Sequence, residues 1–564
     1  MIENNNRLRS EDWFDTPELY GWLRKAAFKA EGFSEESYEG KPVIGICNTW
    51  SELTHCNAHL RDLAEAVKRG VWQAGGFPME FPVLSLGEYN MLPTTMLYRN
   101  LMSMDVEESI RANPLDGVVL LGGCDKTTPA LLMGAASVDI PSILVTGGPQ
   151  LKGNWRGEEL GSCTDCRRYS VELRAGNISE DDWADLQGCI VRSSGHCMTM
   201  GTASTMASVG EALGIALPGN AAIPAVDSRR SQLSEIAGRR IVSMVKEDLR
   251  PSKLLTPNAF ENAIKTVHAI GGSTNAVIHL NAIAGRCGID LPLSLFDKLS
   301  RTTPFILNLK PSGQYLMEDF YYAGGLPALH KEMLSLLDGD QMTVTGKTIK
   351  ENVANAVNYN TDVIRTLENP ISNEGGLAAL YGSLAPRGAI IKPTAASESL
   401  LTHKGRAVVF NNHHEMDSEI DDPSLDINPD DILVMRNSGP IGGPGMPEWG
   451  FLPLPKKILA MGIRDMVRLS DARMSGTAFG TVIVHVTPES ASGGPLGAVK
   501  TGDEISLDVP NRKLDLCVSD REIQRRLSEN TNVNKSETRG YKWMYSQHVL
   551  QSDEGCDFDF LRRE

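Results

Sequence analysis

DGVVLLGGCDKTTPALLMGA, residues 116–135, decides how the chain is read. A β-branched apolar run, Val118 to Leu121, closes on Gly122 and Gly123 and passes straight into a segment rich in Leu, Met and Ala. A strand buried on both faces, then a loop, then a helix is the repeating unit of a parallel α/β sheet. The loop, Cys124-Asp125-Lys126, falls at the C-terminal edge of the strand beside the free N–H groups of a helix start, where anions and metal-bound ligands collect. The same rhythm surrounds it: PVIGIC from Pro42, a helix from Asn57 to Ala74, FPVL from Phe81, a helix from Thr94 to Ala112, and SILVTGG from Ser142.

Downstream, residues 196–300 read as helical and dense in small side chains, with helices predicted from Ser228 to Lys246 and through NAIKTVHAIGG. After Glu368 the texture changes to short β-rich pieces: AIIKP, RAVVF, DILVMR, DMVRLS, GTVIVHVT, EISLDV and KLDLCV. The expected fold is therefore an α/β N-terminal domain with a largely parallel sheet and flanking helices, residues 1–375. A C-terminal mainly-β, barrel-like domain, residues 376–564, follows it.

With 564 residues, 55 Lys and Arg against 71 Asp and Glu, and a net charge of −16, the chain is ill suited to a nucleic-acid backbone or an anionic membrane surface. No apolar run approaches the roughly 18 residues that would span a bilayer, and a cytoplasmic location is expected. Ten cysteines in this length are too sparse for a disulfide scaffold; in a reducing compartment they are buried thiols, metal ligands or reactive groups.

Several motifs fall away on inspection. GKT at Gly346 lacks the glycine a phosphate loop requires at position 341, which is Gln, and GGPG at Gly442 has Glu448 where a dinucleotide fingerprint has glycine. His55 and His59 share i,i+4 spacing without the Glu or third ligand of a metalloprotease, so solvated helix-start histidines are expected. Cys163 and Cys166 form a lone CxxC and read as a loop pair of thiols. Cys124 is different, because a soft thiolate stands beside the hard carboxylate of Asp125 and an amine, Lys126. A plainer reading, Cys124 in the core, Asp125 as helix cap and Lys126 in solvent, has about equal weight on these residues alone. Cys56, after PVIGIC, and Cys197, at a helix start, sit in similar settings. Three thiolates from separate loops could hold an iron–sulfur cluster with one iron position open, which favours Lewis-acid catalysis over electron transfer.

CDKTTPALLMGAAS, GGSTNAVIHL at Gly271–Leu280 and SDARMSGTAFG at Ser470–Gly480 together resemble the dihydroxy-acid and phosphogluconate dehydratase family, over nearly the whole chain. TTPA after CDK and the form SDARMSG look like its sugar-acid, or aldonate, branch. The resemblance implies a 2Fe-2S cluster on Cys56, Cys124 and Cys197. It implies Mg²⁺ on Glu88, Asp125, Lys126 and Glu448, with Lys126 carbamylated, since an ammonium cannot ligate a metal. Ser475 matches the catalytic base in the C-terminal domain, and Thr477 lies at the substrate. The implied reaction is dehydration of an aldonate such as L-arabinonate or D-xylonate to a 2-keto-3-deoxy acid, by a homodimer or homotetramer. The rival in the same chemistry is 2,3-dihydroxyisovalerate, in branched-chain amino-acid synthesis. A non-catalytic iron–sulfur electron carrier is the rival of another class, and structural zinc is disfavoured by the wide cysteine spacing.

Overall fold

The computed structural model describes residues 7–14, 19–529 and 538–563. Four strands, β1 (Val43–Asn48), β2 (Phe77–Pro82), β3 (Gly117–Gly122) and β4 (Ser142–Thr146), form one sheet in the order β2-β1-β3-β4, every pair parallel. β1, β3 and β4 are buried along their whole length, which is why they read as unbroken apolar runs rather than alternating ones. The second strand lies earlier than the expected FPVL. Pro78 and Pro82 flank an edge position, where a missing N–H costs no ladder bond.

The helices Leu60–Gln73 and Ser228–Glu247 cross on this sheet with their backbones nearly touching. A Cβ on Gly70 would lie 2.0 Å from the Glu235 carbonyl oxygen, and one on Gly238 would lie 2.2 Å from that of Val67. No side chain fits either place. Helix Thr127–Val138 covers the other approach, and the helices Thr202–Ala212, Pro257–Ala269 and Asn275–Arg286 extend the core. A small hairpin, β5 (Gly153–Trp155) and β6 (Glu158–Leu160), precedes the helix Thr164–Arg174.

The C-terminal part is built on an eight-stranded sheet: β7 (Ala378–Leu380), β8 (Gly388–Ile391), β9 (Thr402–Phe410), β10 (Ile432–Met435), β11 (Arg468–Ser470), β12 (Val482–Thr487), β13 (Glu504–Asp508) and β14 (Lys513–Leu516). Its order is β14-β13-β9-β10-β11-β12-β8-β7. The inner four strands run parallel and both flanks antiparallel. A bridge between Tyr381, just past β7, and Lys513, which opens β14, brings the two ends together, so the sheet nearly closes into the expected barrel. β7 was not read from the sequence: two alanines and a leucine shortly after two glycines carry no β signal of their own. Among the described residues no helix is long and apolar enough to cross a membrane.

Candidate active site

The C-terminal ends of both parallel strand sets open on one cavity of about 370 Å³. It is bordered by the thiols Cys56, Cys124 and Cys197, by the carboxylates Glu88, Asp125 and Glu448, and by the hydroxyls Ser475 and Thr477. These residues are brought together from six separate stretches of chain.

Cys124 and Asp125 follow β3 after a single glycine, Gly123. The Cys124 N–H donates to Thr127 Oγ1 at 2.8 Å and the Thr127 hydroxyl donates back to the Cys124 carbonyl at 3.0 Å, fixing the turn into the helix. Cys56 sits in a short helical turn after β1, and Cys197 just past a bridge between Pro149 and His196. The two histidines flanking Cys56 are not solvated: His55 Nε2 lies 3.1 Å from the Ser193 carbonyl and His59 Nε2 2.8 Å from that of Gly147. They tie the Cys56 turn to neighbouring loops, and burial lowers the His59 pKa so that its neutral ring suits this role.

Lys126 is fully buried, contrary to its plainer reading as a solvated side chain. Its Nζ lies 2.9 Å from Glu88, 3.4 Å from Glu448 and 3.6 Å from Asp125. The buried Arg473 guanidinium stands 2.5 Å from Glu448 and 3.6 Å from Glu88, and donates to Thr94 Oγ1 at 2.8 Å. Burial raises Asp125 to about 6, held down in part by Lys126. Burial also acts to raise Glu448, but Lys126, Arg473 and Arg167 outweigh it and hold that carboxyl at about 2. For Lys126 itself burial and Arg473 oppose the charge, and the three carboxylates win, so its pKa is raised.

Whether this set fits a divalent cation can be tested on charge. Two cations and three carboxylates sum to −1. Exchanging the Lys126 ammonium for a carbamate and a divalent ion adds the same single positive charge as before, so the buried sum is unchanged, and every donor becomes a hard oxygen. With the ammonium in place, no three His, Cys, Asp or Glu side chains among the described residues form a ready-made metal cluster. On the sulfur side, the hydrogen bond to Cys124, burial and the charges of Cys124 and Cys197 push the Cys56 thiol well up, so holding these sulfurs as thiolates requires a strongly positive partner.

Ser475 and Thr477 belong to the loop after β11. Ser475 is 7% exposed and Thr477 3%. Their hydroxyl oxygens are 2.9 Å apart, and the Thr477 N–H donates to Ser475 Oγ at 3.5 Å. Between them Gly476 packs on the loop of Ser273: a Cβ there would meet Ser273 Oγ at 2.5 Å and the Thr202 nitrogen at 2.9 Å. That close approach explains why the glycine follows the serine, and why GGSTN and SDARMSG act as one assembly. Thr202 Oγ1, Ser273 Oγ and Asn275 Nδ2 are linked by hydrogen bonds of 2.9 Å behind it.

Glu448 arrives by a long loop after β10 whose later part is held by groups outside the strands of its sheet. The Gly445 N–H donates to Tyr545 Oη at 3.1 Å, and a Cβ on Gly445, at φ +84°, would lie 2.6 Å from the Leu97 nitrogen. The Glu489 carboxylate accepts from the N–H groups of Ile441 and Gly442 and from Gln551.

Cys163 departs from the loop-pair reading. Its Sγ is 3.4 Å from Cys197 Sγ, and Tyr89 Oη lies 3.1 Å from one sulfur and 3.2 Å from the other. Its backbone sits at φ +67°, a costly conformation for a side chain of this size. Cys166, its partner in the motif, lines an adjoining cavity instead. Arg473 lay inside the quoted SDARMSG motif without a role, and Tyr89, Thr94 and Arg167 carried no signal in sequence.

Compared with known proteins, residues 41–352 match the description "Dihydroxy-acid/6-phosphogluconate dehydratase N-terminal" and residues 362–556 its C-terminal counterpart. An L-arabinonate dehydratase of Rhizobium leguminosarum bv. trifolii is 55% identical over 99% of this chain and 96% of its own length. An L-arabonate dehydratase of Azospirillum brasilense is 54% identical over 100% of this chain and 98% of its own. A dihydroxy-acid dehydratase of Methanothermobacter thermautotrophicus is 39% identical over 93% and 95%.

Proposed function

Because the chain belongs to the dihydroxy-acid/6-phosphogluconate dehydratase family, and is thus a hydro-lyase, we propose that it dehydrates an aldonate to a 2-keto-3-deoxy acid. L-Arabinonate is the favoured substrate and D-xylonate the next. The relatives named for L-arabinonate support that choice over 2,3-dihydroxyisovalerate, since they stand at 54–55% identity against 39%. The observation that carries the reading is the buried Ser475–Thr477 hydroxyl pair on the same cavity as the thiols and the Lys126 carboxylates. An electron carrier has no use for such a pair.

Cys56, Cys124 and Cys197 would hold a 2Fe-2S cluster, and Glu88, Asp125, Glu448 and a carbamylated Lys126 would hold Mg²⁺. When bound, these groups supply Lewis acidity toward the leaving hydroxyl and charge stabilisation toward the substrate carboxylate. Ser475, as alkoxide, takes the proton from C2. The electron pair left on C2 forms the C2–C3 double bond as the C3–O bond breaks, and the departing hydroxide leaves as water with one proton. The enol then tautomerises to the keto acid. Thr477 holds the Ser475 oxygen in place through the 2.9 Å contact, and the near-complete burial of both keeps bulk water from protonating the base. The charged surroundings must lower the serine pKa by many units, which calls for more positive charge than Arg473 and Lys126 bring, since their carboxylates leave the cluster at −1.

A cytoplasmic homodimer or homotetramer belongs to the same proposal. The side chains of Leu19, Tyr20 and Trp22, each about two-thirds exposed on one short helix, support a subunit contact. The test is keto-acid formation by anaerobically purified protein with Mg²⁺, on L-arabinonate, D-xylonate, D-gluconate and 2,3-dihydroxyisovalerate. A kcat/KM preference of tenfold or more, about 1.4 kcal/mol, for one sugar acid is expected. Ser475→Ala should lower kcat by about 10²–10⁴-fold with cluster absorbance unchanged. The opposite substrate preference would transfer the protein to amino-acid synthesis, and an active alanine variant would remove Ser475 as base.

A further inference from the structure

A second cavity of about 320 Å³ adjoins the catalytic one, and among their lining residues Arg167 alone borders both. Each volume is near the small end of the range usual for ligand sites, roughly 300–1,000 Å³. Three other arginines line the second cavity, and all three are neutralised. Arg174 is 2.8 Å from Asp421, Arg464 is 3.0 Å from Glu172 and Arg468 is 3.0 Å from Asp465. Arg167 is the exception: among the described residues no carboxylate is in ion-pair contact with its guanidinium, and its buried Nε, like those of Arg174 and Arg468, has no hydrogen-bond partner. It rests instead 5.0 Å over the Phe451 ring.

The placement is built rather than incidental. Arg167 stands one helical turn after Cys163, with its N–H donating to the Cys163 carbonyl at 3.1 Å, so both residues face the catalytic cavity. The Thr164 hydroxyl of the same helix donates to the Thr477 carbonyl at 2.9 Å, locking this turn to the loop of Ser475. A guanidinium that is partly desolvated and unpaired is costly unless an oxygen-rich ligand completes it. Of the three cations that act on Glu448, Lys126 and Arg473 are engaged in ion pairs, which leaves Arg167 as the one without such a contact among the described residues.

We propose that Arg167 binds the end of the acid remote from its carboxylate, donating to the hydroxyls at C4 and C5, and that the second cavity receives whatever extends beyond C5. The inference rests on the dehydratase reading, which puts the substrate carboxylate on the acidic side. The ligand class is a polyhydroxy acid of five or six carbons. An acid with an apolar tail leaves the guanidinium unpaired and is rejected on that ground.

The experiment compares wild type, Arg167→Gln and Arg167→Lys on L-arabinonate and on 2,3-dihydroxybutanoate, which keeps the reacting carbons but has no hydroxyl beyond C3. In Arg167→Gln the KM for L-arabinonate should rise tenfold or more with kcat within about threefold. The kcat/KM ratio of the two acids should fall at least tenfold, and Arg167→Lys should recover part of it. Equal losses on both acids would put the guanidinium at the shared carboxylate end and overturn the proposal, as would an unchanged KM. Calorimetric titration of L-arabinonate into the metal-loaded proteins separates this from the reaction itself. Binding that depends on Arg167 without keto-acid formation would keep the subsite and remove the dehydratase reading; turnover indifferent to Arg167 would do the reverse. If the glutamine variant melts early, the lysine variant alone reads the KM shift.

Discussion

Cys124 and Asp125 stand one glycine beyond the end of a buried strand, whereas Glu448 comes after a long loop, 436–447, that is tied to its own sheet near its start, where the Arg436 N–H donates to the Phe410 carbonyl and the Ser438 N–H to Asp471. In the N-terminal half the strand, the glycine pair and the helix start place the donors, and the Thr127 hydroxyl needs only to lock the turn. In the C-terminal half the backbone path is set by distant side chains: Tyr545, Glu489 and Gln551 hold the loop, and Gly445 is pressed on Leu97. One half of the site is therefore part of the folding core, while the other is an arm held against it by contacts from separate elements.

Removing the charge at the core end should have the largest consequence. In metal-free protein Lys126→Met leaves Glu88, Asp125 and Glu448 buried with only Arg473 still in ion-pair contact with two of them, and a loss of about 3–5 kcal/mol in denaturant unfolding is expected. A neutral result would break the comparison by showing that the N-terminal donors are not part of the core.

A pH effect should appear in the arm. Burial first, and the neighbouring Asp471 second, raise the Glu489 carboxyl from 4.5 to about 7. A raised carboxyl pKa favours the protonated folded state, so its stabilisation is fully present below the unfolded value and is lost as pH climbs through about 7. Stability of the wild type relative to Glu489→Gln should therefore decline between about pH 4.5 and 7, by up to about 3 kcal/mol, in thermal or denaturant melts across that window. A flat difference would mean that the loop carries Glu489 ionised at all these values.

Tyr545→Phe removes only the acceptor of the Gly445 N–H and should cost about 1 kcal/mol. Its sharper signature is selective: weaker magnesium binding, because Glu448 follows three residues on, with iron content unchanged. Loss of iron together with magnesium would show that the two halves do not act separately.

The same contrast explains what was legible in the chain. GVVLLGGCDK could be read directly, because an apolar run closed by glycines and a helix start fix the position of Cys124 by local rules. Ser475 and Glu448 came from the resemblance alone; nothing periodic in GGPGMPEWG foretells a carboxylate aimed at Lys126. FPVL was misplaced because an edge strand with two prolines has the same composition as the loop after it. Cys163 and Arg167 were missed for a different reason. Within CTDCRRYSVELR they look like a loop thiol and a solvated helix charge, and only the left-handed backbone at Cys163 and the docking of Thr164 on Thr477 turn them toward the cavity.

On the proposed reading, one cavity joins a three-thiol cluster site to a magnesium site of four oxygen ligands. Metal and sulfide analysis of anaerobically purified wild type tests it most directly. About two irons and two sulfides per chain are expected, with iron lost on Cys124→Ser, together with about one magnesium that is lost on Glu448→Gln while the iron stays. Zinc in place of iron, or iron that survives the Cys124 substitution, would contradict it.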